Sequence, residues 1–135
     1  MSARVLIVDD EPTMVTALAE LLSHSGIDVV GLATNGADAV DAAATLHPDV
    51  VLMDLRMPGV DGIEASRRIN EMWPDVQVLI LTAYEDEQLR HAASDVGAYC
   101  YLVKGTAPHL IVEMIARAKE YGEGLRLSRS ATAEA

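Results

Sequence analysis

Five short apolar runs, rich in β-branched residues, recur along the chain, and stretches with helical spacing separate them. This alternation restricts the fold more than any other feature of the sequence. The runs are Val5 to Val8, Ile27 to Val30, Val50 to Met53, Val76 to Leu81 and Tyr99 to Val103. Between them, Met14, Val15, Leu18, Leu21 and Leu22 share one helical face. Leu89, Ala92, Ala93 and Val96 share another, and Leu110, Ile111, Met114, Ile115 and Ala118 a third. The segments from Ala37 to Leu46 and from Ile63 to Trp73 are less regular but compatible with helix. Pro12 suits a first helical turn, Gly26 a helix end, and Thr106 with Pro108 the start of the last helix. The pattern predicts five βα units. Strands this apolar need cover on both faces, so the expected fold is α/β and doubly wound, a parallel sheet between two helical layers. Right-handed crossovers then bring every strand's carboxyl end to one edge.

That edge explains an otherwise puzzling residue. Asp54 directly follows Val50-Val51-Leu52-Met53, although a carboxylate is rarely buried without a partner. Asp9 and Asp10 follow the first strand, Thr82 ends the fourth and Lys104 the fifth. Ligands of such sheets bind outside the carboxyl ends, so these residues are expected around one cleft. Clustered carboxylates repel and call for a cation; an all-oxygen donor set points to Mg²⁺. A divalent ion, a lysine and a hydroxyl around a carboxylate suit a phosphoryl group, and a nucleophilic carboxylate would form an aspartyl phosphate.

Composition narrows the classes. The 135 residues suit one domain, and half are hydrophobic with no Phe, which implies an aliphatic core. A formal net charge of −11 disfavours direct contact with a nucleic-acid backbone. No run is long enough for a membrane span, and MSARVLIVDDE does not read as a signal peptide. Cys100 is the only cysteine, which excludes an internal disulfide and fits a cytoplasmic location. His24, His47, His91 and His109 lack metal-ligand spacing. After Tyr121 the pattern fades. Residues 1–122 are therefore read as the domain and 123–135 as a linker or tail.

VDDE at Asp9-Asp10, MDLRMPGVDG around Asp54, LTAY at Thr82 and YLVK ending at Lys104 together resemble the CheY-like receiver domain of two-component response regulators. The resemblance covers about residues 3 to 122. It implies a flavodoxin-like (βα)5 three-layer sandwich with strand order 2-1-3-4-5. It implies that Asp54 is the phosphoacceptor. Asp10 and Asp54 would ligate Mg²⁺ with the backbone carbonyl of Arg56, and Asp9 would act mostly through water. Lys104 would meet one phosphoryl oxygen, the Thr82 hydroxyl another, and the Ala83 N–H would add a donor. Tyr101 matches the aromatic whose rotamer follows Thr82. The partner implied is a sensor histidine kinase. The chain would then be no turnover enzyme, catalysing only its own phosphorylation and dephosphorylation.

Gly105 stands where most of the family has proline after the lysine, so a trans Lys104–Gly105 bond is expected. GAYCYLVKG and the tail GEGLRLSRS resemble the NarL/LuxR-type regulators, whose output is a helix-turn-helix DNA-binding domain. Nucleic-acid contact would come only through such a domain, and the chain reads as an excised receiver, or alternatively a stand-alone one. Arg56 and Tyr84 lie two residues after Asp54 and Thr82, where bulk is expected to slow loss of the phosphoryl group. Helices one and five carry Leu22, Ile111 and Ile115, candidates for a homodimer face or for core. Three alternatives remain: a phosphorylation-independent receiver acting by protein contacts, a haloacid dehalogenase-type phosphatase, and a nucleotide- or flavin-binding flavodoxin-like module. The phosphatase class needs an Asp where Arg56 stands. The nucleotide or flavin module needs a Gly-rich or Ser/Thr-rich phosphate loop where Asp9-Asp10-Glu11 stands.

Overall fold

Side-chain alternation along the strands assigns the two layers. The computed structural model describes residues 2–55 and 61–134. In chain order the elements are β1 (Arg4–Val8), α1 (Pro12–His24), β2 (Asp28–Ala33), α2 (Gly36–Leu46), β3 (Val50–Met53), α3 (Gly62–Met72), β4 (Gln77–Thr82), α4 (Glu87–Asp95), β5 (Cys100–Val103) and α5 (Pro108–Glu134). Leu6 and Val8, Val51 and Met53, and Val78 and Ile80 face Ala39, Ala43, Ala65, Ile69 and Ala93 of α2, α3 and α4. Their neighbours Val5, Ile7, Val50, Leu52, Leu79 and Leu81 face Val15, Leu22, Ile111, Ile115 and Ala118 of α1 and α5. Two aliphatic cores result, one on each face of the sheet. Leu22, Ile111 and Ile115 are all buried in the second, so they are core and not a dimer face.

The sheet is wholly parallel in the order β2-β1-β3-β4-β5. After β2 the chain crosses back to the other side of β1, so the switch point lies between β1 and β3. A crevice at their carboxyl ends is the geometric consequence.

Local chemistry sets the helix ends. Glu11, Asn35, Asp61 and Asp86 cap α1, α2, α3 and α4, each side chain accepting a backbone N–H of the first turn. Pro12 occupies the first turn of α1. Gly26, at φ +82°, ends that helix. The Ile27 N–H bonds the Leu22 carbonyl at 3.0 Å and the Gly26 N–H bonds that of Ser23 at 3.2 Å. This Schellman pairing takes Ile27 out of β2 and into the core. Residues 123–134, read from sequence as linker or tail, continue α5. Gly122 permits this, because a Cβ there would lie 2.3 Å from the Asp75 carbonyl. No peptide bond among the described residues is cis, Lys104–Gly105 included. No helix among them is long and apolar enough to cross a membrane.

Candidate functional site

β1 and β3 deliver their terminal carboxylates to the same crevice. The Asp9 N–H bonds the Ala33 carbonyl at 3.0 Å and the Asp54 N–H bonds that of Val8 at 2.9 Å, which extends the ladders to these residues. Asp9 and Asp54 are buried, at 5% and 6% exposure, and Asp10 is exposed. One carboxylate oxygen from each of the three lies within 4.8 Å of the others. An Asp9 oxygen also accepts the Glu11 N–H at 2.9 Å, which fixes its rotamer.

Lys104 enters from β5. Its N–H pairs with the Thr82 carbonyl at 2.7 Å, anchoring the strand end beside β4. Its ammonium lies 2.7 Å from Asp9 Oδ2 and 3.8 Å from Asp54 Oδ2. The three carboxylates and one ammonium leave an excess of negative charge that a divalent cation would balance. Hard oxygen donors, one of them open to solvent, match a small ion that keeps part of its water shell.

Thr82 completes the arrangement. Its hydroxyl is fully buried and, among the described residues, has no hydrogen-bond partner. Buried hydroxyls are seldom left so, which marks a place for a missing acceptor. Ala83 and Tyr84 follow on the β4–α4 loop and are exposed. Tyr101 is half-buried against the α4 side of the core, and its hydroxyl donates to the Tyr84 carbonyl. The Arg90 guanidinium lies over its ring, 4.5 Å from the centroid. Burial is the main influence on the phenol and raises its pKa, partly offset by Arg90.

The structure thus brings Asp9, Asp10, Asp54, Lys104 and Thr82 to one edge, with Ala83, Tyr84 and Tyr101 on the adjoining loop and strand. Arg56 lies outside the described residues, as does Met57. Two residues had no site role in the sequence reading, although Gly62 closes the MDLRMPGVDG motif. Gly62 passes so close to the phosphoacceptor candidate that a Cβ would stand 2.3 Å from the Asp54 carbonyl and 2.8 Å from Leu55 Cα. The glycine after the Asp61 cap was its only signal. Arg90 had none, since its stacking on Tyr101 is tertiary. Cys100 is half-buried, and burial pushes its thiol up to about 11, as befits packing.

The family model described as "Response regulator receiver domain" matches residues 5–116. Response regulator GacA of Pseudomonas aeruginosa is 37% identical over 113 residues, covering 83% of this chain and 53% of that protein. Chemotaxis protein CheY of Thermotoga maritima is 36% identical over 115 residues, covering 85% of this chain and 96% of that one. Among solved structures, the signal receiver domain of a NarL response regulator from Mycobacterium tuberculosis superposes with a TM-score of 0.84 at 29% identity, over 88% of this chain and 97% of that one. The chain spans about half the length of several curated relatives it matches, GacA included.

Proposed function

Because the chain belongs to the response regulator receiver domain family, we propose that it accepts a phosphoryl group on Asp54 from a phosphohistidine of a sensor kinase and relays that event as a conformational change. The observation carrying this reading is the crevice itself: Asp54 beside two further carboxylates, a lysine ammonium at 3.8 Å, and a buried hydroxyl in want of an acceptor.

Asp10 and Asp54, with Asp9 through water and the Arg56 carbonyl, would hold Mg²⁺, whose charge would offset that of the incoming phosphoryl oxygens. An Asp54 carboxylate oxygen attacks phosphorus. The phosphorus–nitrogen bond of the donor breaks, its electron pair stays on the imidazole, and an acyl phosphate forms. Lys104 releases Asp9 as its main partner and pairs with a phosphoryl oxygen. Thr82 donates its hydroxyl to another and the Ala83 N–H to the same region. Water attacking phosphorus later returns the carboxylate and inorganic phosphate. Because Asp54 gives up its own carboxylate charge to the acyl phosphate, the site gains about one negative charge net, now spread over phosphoryl oxygens, and this biases the face formed by the last two βα units, with Tyr101 following Thr82.

The domain is residues 1–122, with residues 123–134 continuing its last helix. The NarL/LuxR-like features favour a DNA-binding output and control of transcription, with the receiver itself not a turnover enzyme. A cytoplasmic setting and a homodimer fit the same reading. Arg56 and Tyr84 slow hydrolysis by their bulk; an Arg56→Asn/Tyr84→Ala variant should lose its phosphoryl group faster, as followed by phosphate release.

Intact-mass spectrometry with acetyl phosphate and the cognate kinase tests the proposal. One phosphoryl adduct is expected with Mg²⁺, and none in EDTA or in Asp54→Ala. A protein that stays unmodified with both donors acts through contacts alone.

A further inference from the structure

The β4–α4 loop is pinned by a circuit in which Glu85, Asp86 and Arg90 have no part in the roles above. Its residues 83–86 join Thr82 to Asp86, whose carboxylate caps α4 through the N–H groups of Gln88, at 2.8 Å, and Leu89, at 3.3 Å. Across the loop, the Tyr101 hydroxyl holds the Tyr84 carbonyl. Tyr101 in turn lies under Arg90, one helical turn beyond the cap, with the guanidinium 4.5 Å from the ring centroid. The same guanidinium reaches Glu85 at 3.3 Å, back on the loop. Helix, strand and loop are thus closed on one another through a single arginine.

We propose that Arg90 is a positioning residue for the phosphoryl site. It fixes the ring of Tyr101, Tyr101 fixes the Tyr84 carbonyl, and the Thr82-Ala83 segment is held ready before the phosphoryl group arrives. This inference rests on the phosphoacceptor reading. Its physical basis is that a loop already ordered loses less freedom on binding, so affinity is higher than for a loop that must be ordered by the ligand. A cation over an aromatic face supplies that order at a modest, measurable strength. Mg²⁺ affinity depends on the carboxylates at β1 and β3 and should not sense Arg90.

The test is a binding cycle on the 135-residue chain with beryllium trifluoride as the phosphoryl mimic in saturating Mg²⁺, read by fluorine NMR. Wild type, Arg90→Ala, Tyr101→Leu and the double variant are compared, with Arg90→Lys as the conservative rescue. Arg90→Ala is expected to weaken the mimic about two- to fivefold, the range for a partly exposed cation–π contact. Mg²⁺ affinity should stay unchanged, Arg90→Lys should recover part of the loss, and the double variant should match Tyr101→Leu alone. Additive losses, or an equal fall in Mg²⁺ affinity, would overturn the role of Arg90 while leaving the phosphoacceptor reading intact. Should Arg90→Ala melt early, Arg90→Met, which keeps the stem, replaces it in the same cycle. A wild type that fails to bind the mimic at all would overturn both readings.

Discussion

Thr82 carries a cost at rest that a filled site would offset. A buried hydroxyl without a partner destabilises by about 1–3 kcal/mol, and the Thr82 hydroxyl is in that position among the described residues. Thr82→Val, which keeps the shape, should therefore raise the unfolding free energy in urea by about 1 kcal/mol while weakening beryllium trifluoride binding. Destabilisation instead would mean that the hydroxyl already has a use in the resting protein. The acids and the lysine were legible in the sequence because each follows an apolar strand, and strand order alone carries them to one edge. Thr82 was less so, since threonine is common in strands. Arg90 was not legible, because a polar residue on an exposed helix turn gives no pattern that points to a ring on another element.

Helices and loops impose their own requirements. α3 begins against the backbone of Asp54 and Leu55, and Gly62 is what lets it approach: its N–H bonds the Leu55 carbonyl at 3.3 Å. Gly62→Ala should cost about 1–3 kcal/mol, the range for an overpacked contact, and should weaken Mg²⁺ binding by displacing Asp54; urea titration and metal titration check the two parts. At the other end of the sheet, Asp75 joins α5 to the base. Its carboxylate accepts from His47 Nε2 at 2.9 Å and Arg126 Nε at 3.2 Å. Burial pushes that carboxyl up, but the hydrogen bonds from His47 and Arg126 outweigh it and hold the pKa below the ordinary value. A depressed carboxylate stabilises the fold fully above its unfolded pKa, about 3.9, and the contribution fades as pH falls through the lowered folded value. Asp75→Ala should thus speed amide exchange over residues 122–129 at pH 7, and the difference from wild type should shrink at strongly acidic pH. Equal exchange at pH 7 would remove the latch from the account. This part of α5 was hidden in the sequence by Gly122 and Gly124, which lower helix propensity by about 1 kcal/mol each. Tertiary contacts at Asp75 override that local preference.

At the scale of the whole molecule, two kinds of information were written differently. Periodicity of two and of 3.6 defined the strands and helices, and the need to cover both faces of apolar strands defined the layers. Pairing between distant strands left no such trace, so the order β2-β1-β3-β4-β5 came only through the family resemblance. The acidity of the chain, formally −11, is spread over its surface, but its consequence is concentrated where three carboxylates meet. A cation bound there stabilises the folded state by mass action, about 2.7 kcal/mol at one hundred times its dissociation constant. Mg²⁺ should accordingly raise the melting temperature of the wild type and have little effect on Asp10→Ala; equal shifts in both would place the ion elsewhere.

The central claim is that Asp54 carries the phosphoryl group. Reduction of the phosphorylated protein with borohydride converts an acyl phosphate to an alcohol, and peptide sequencing by mass spectrometry then locates the altered residue. The account predicts homoserine at position 54 and unmodified aspartate at positions 9 and 10. Reduction at Asp9 or Asp10, or a phosphoryl group that survives borohydride on another side chain, would contradict it.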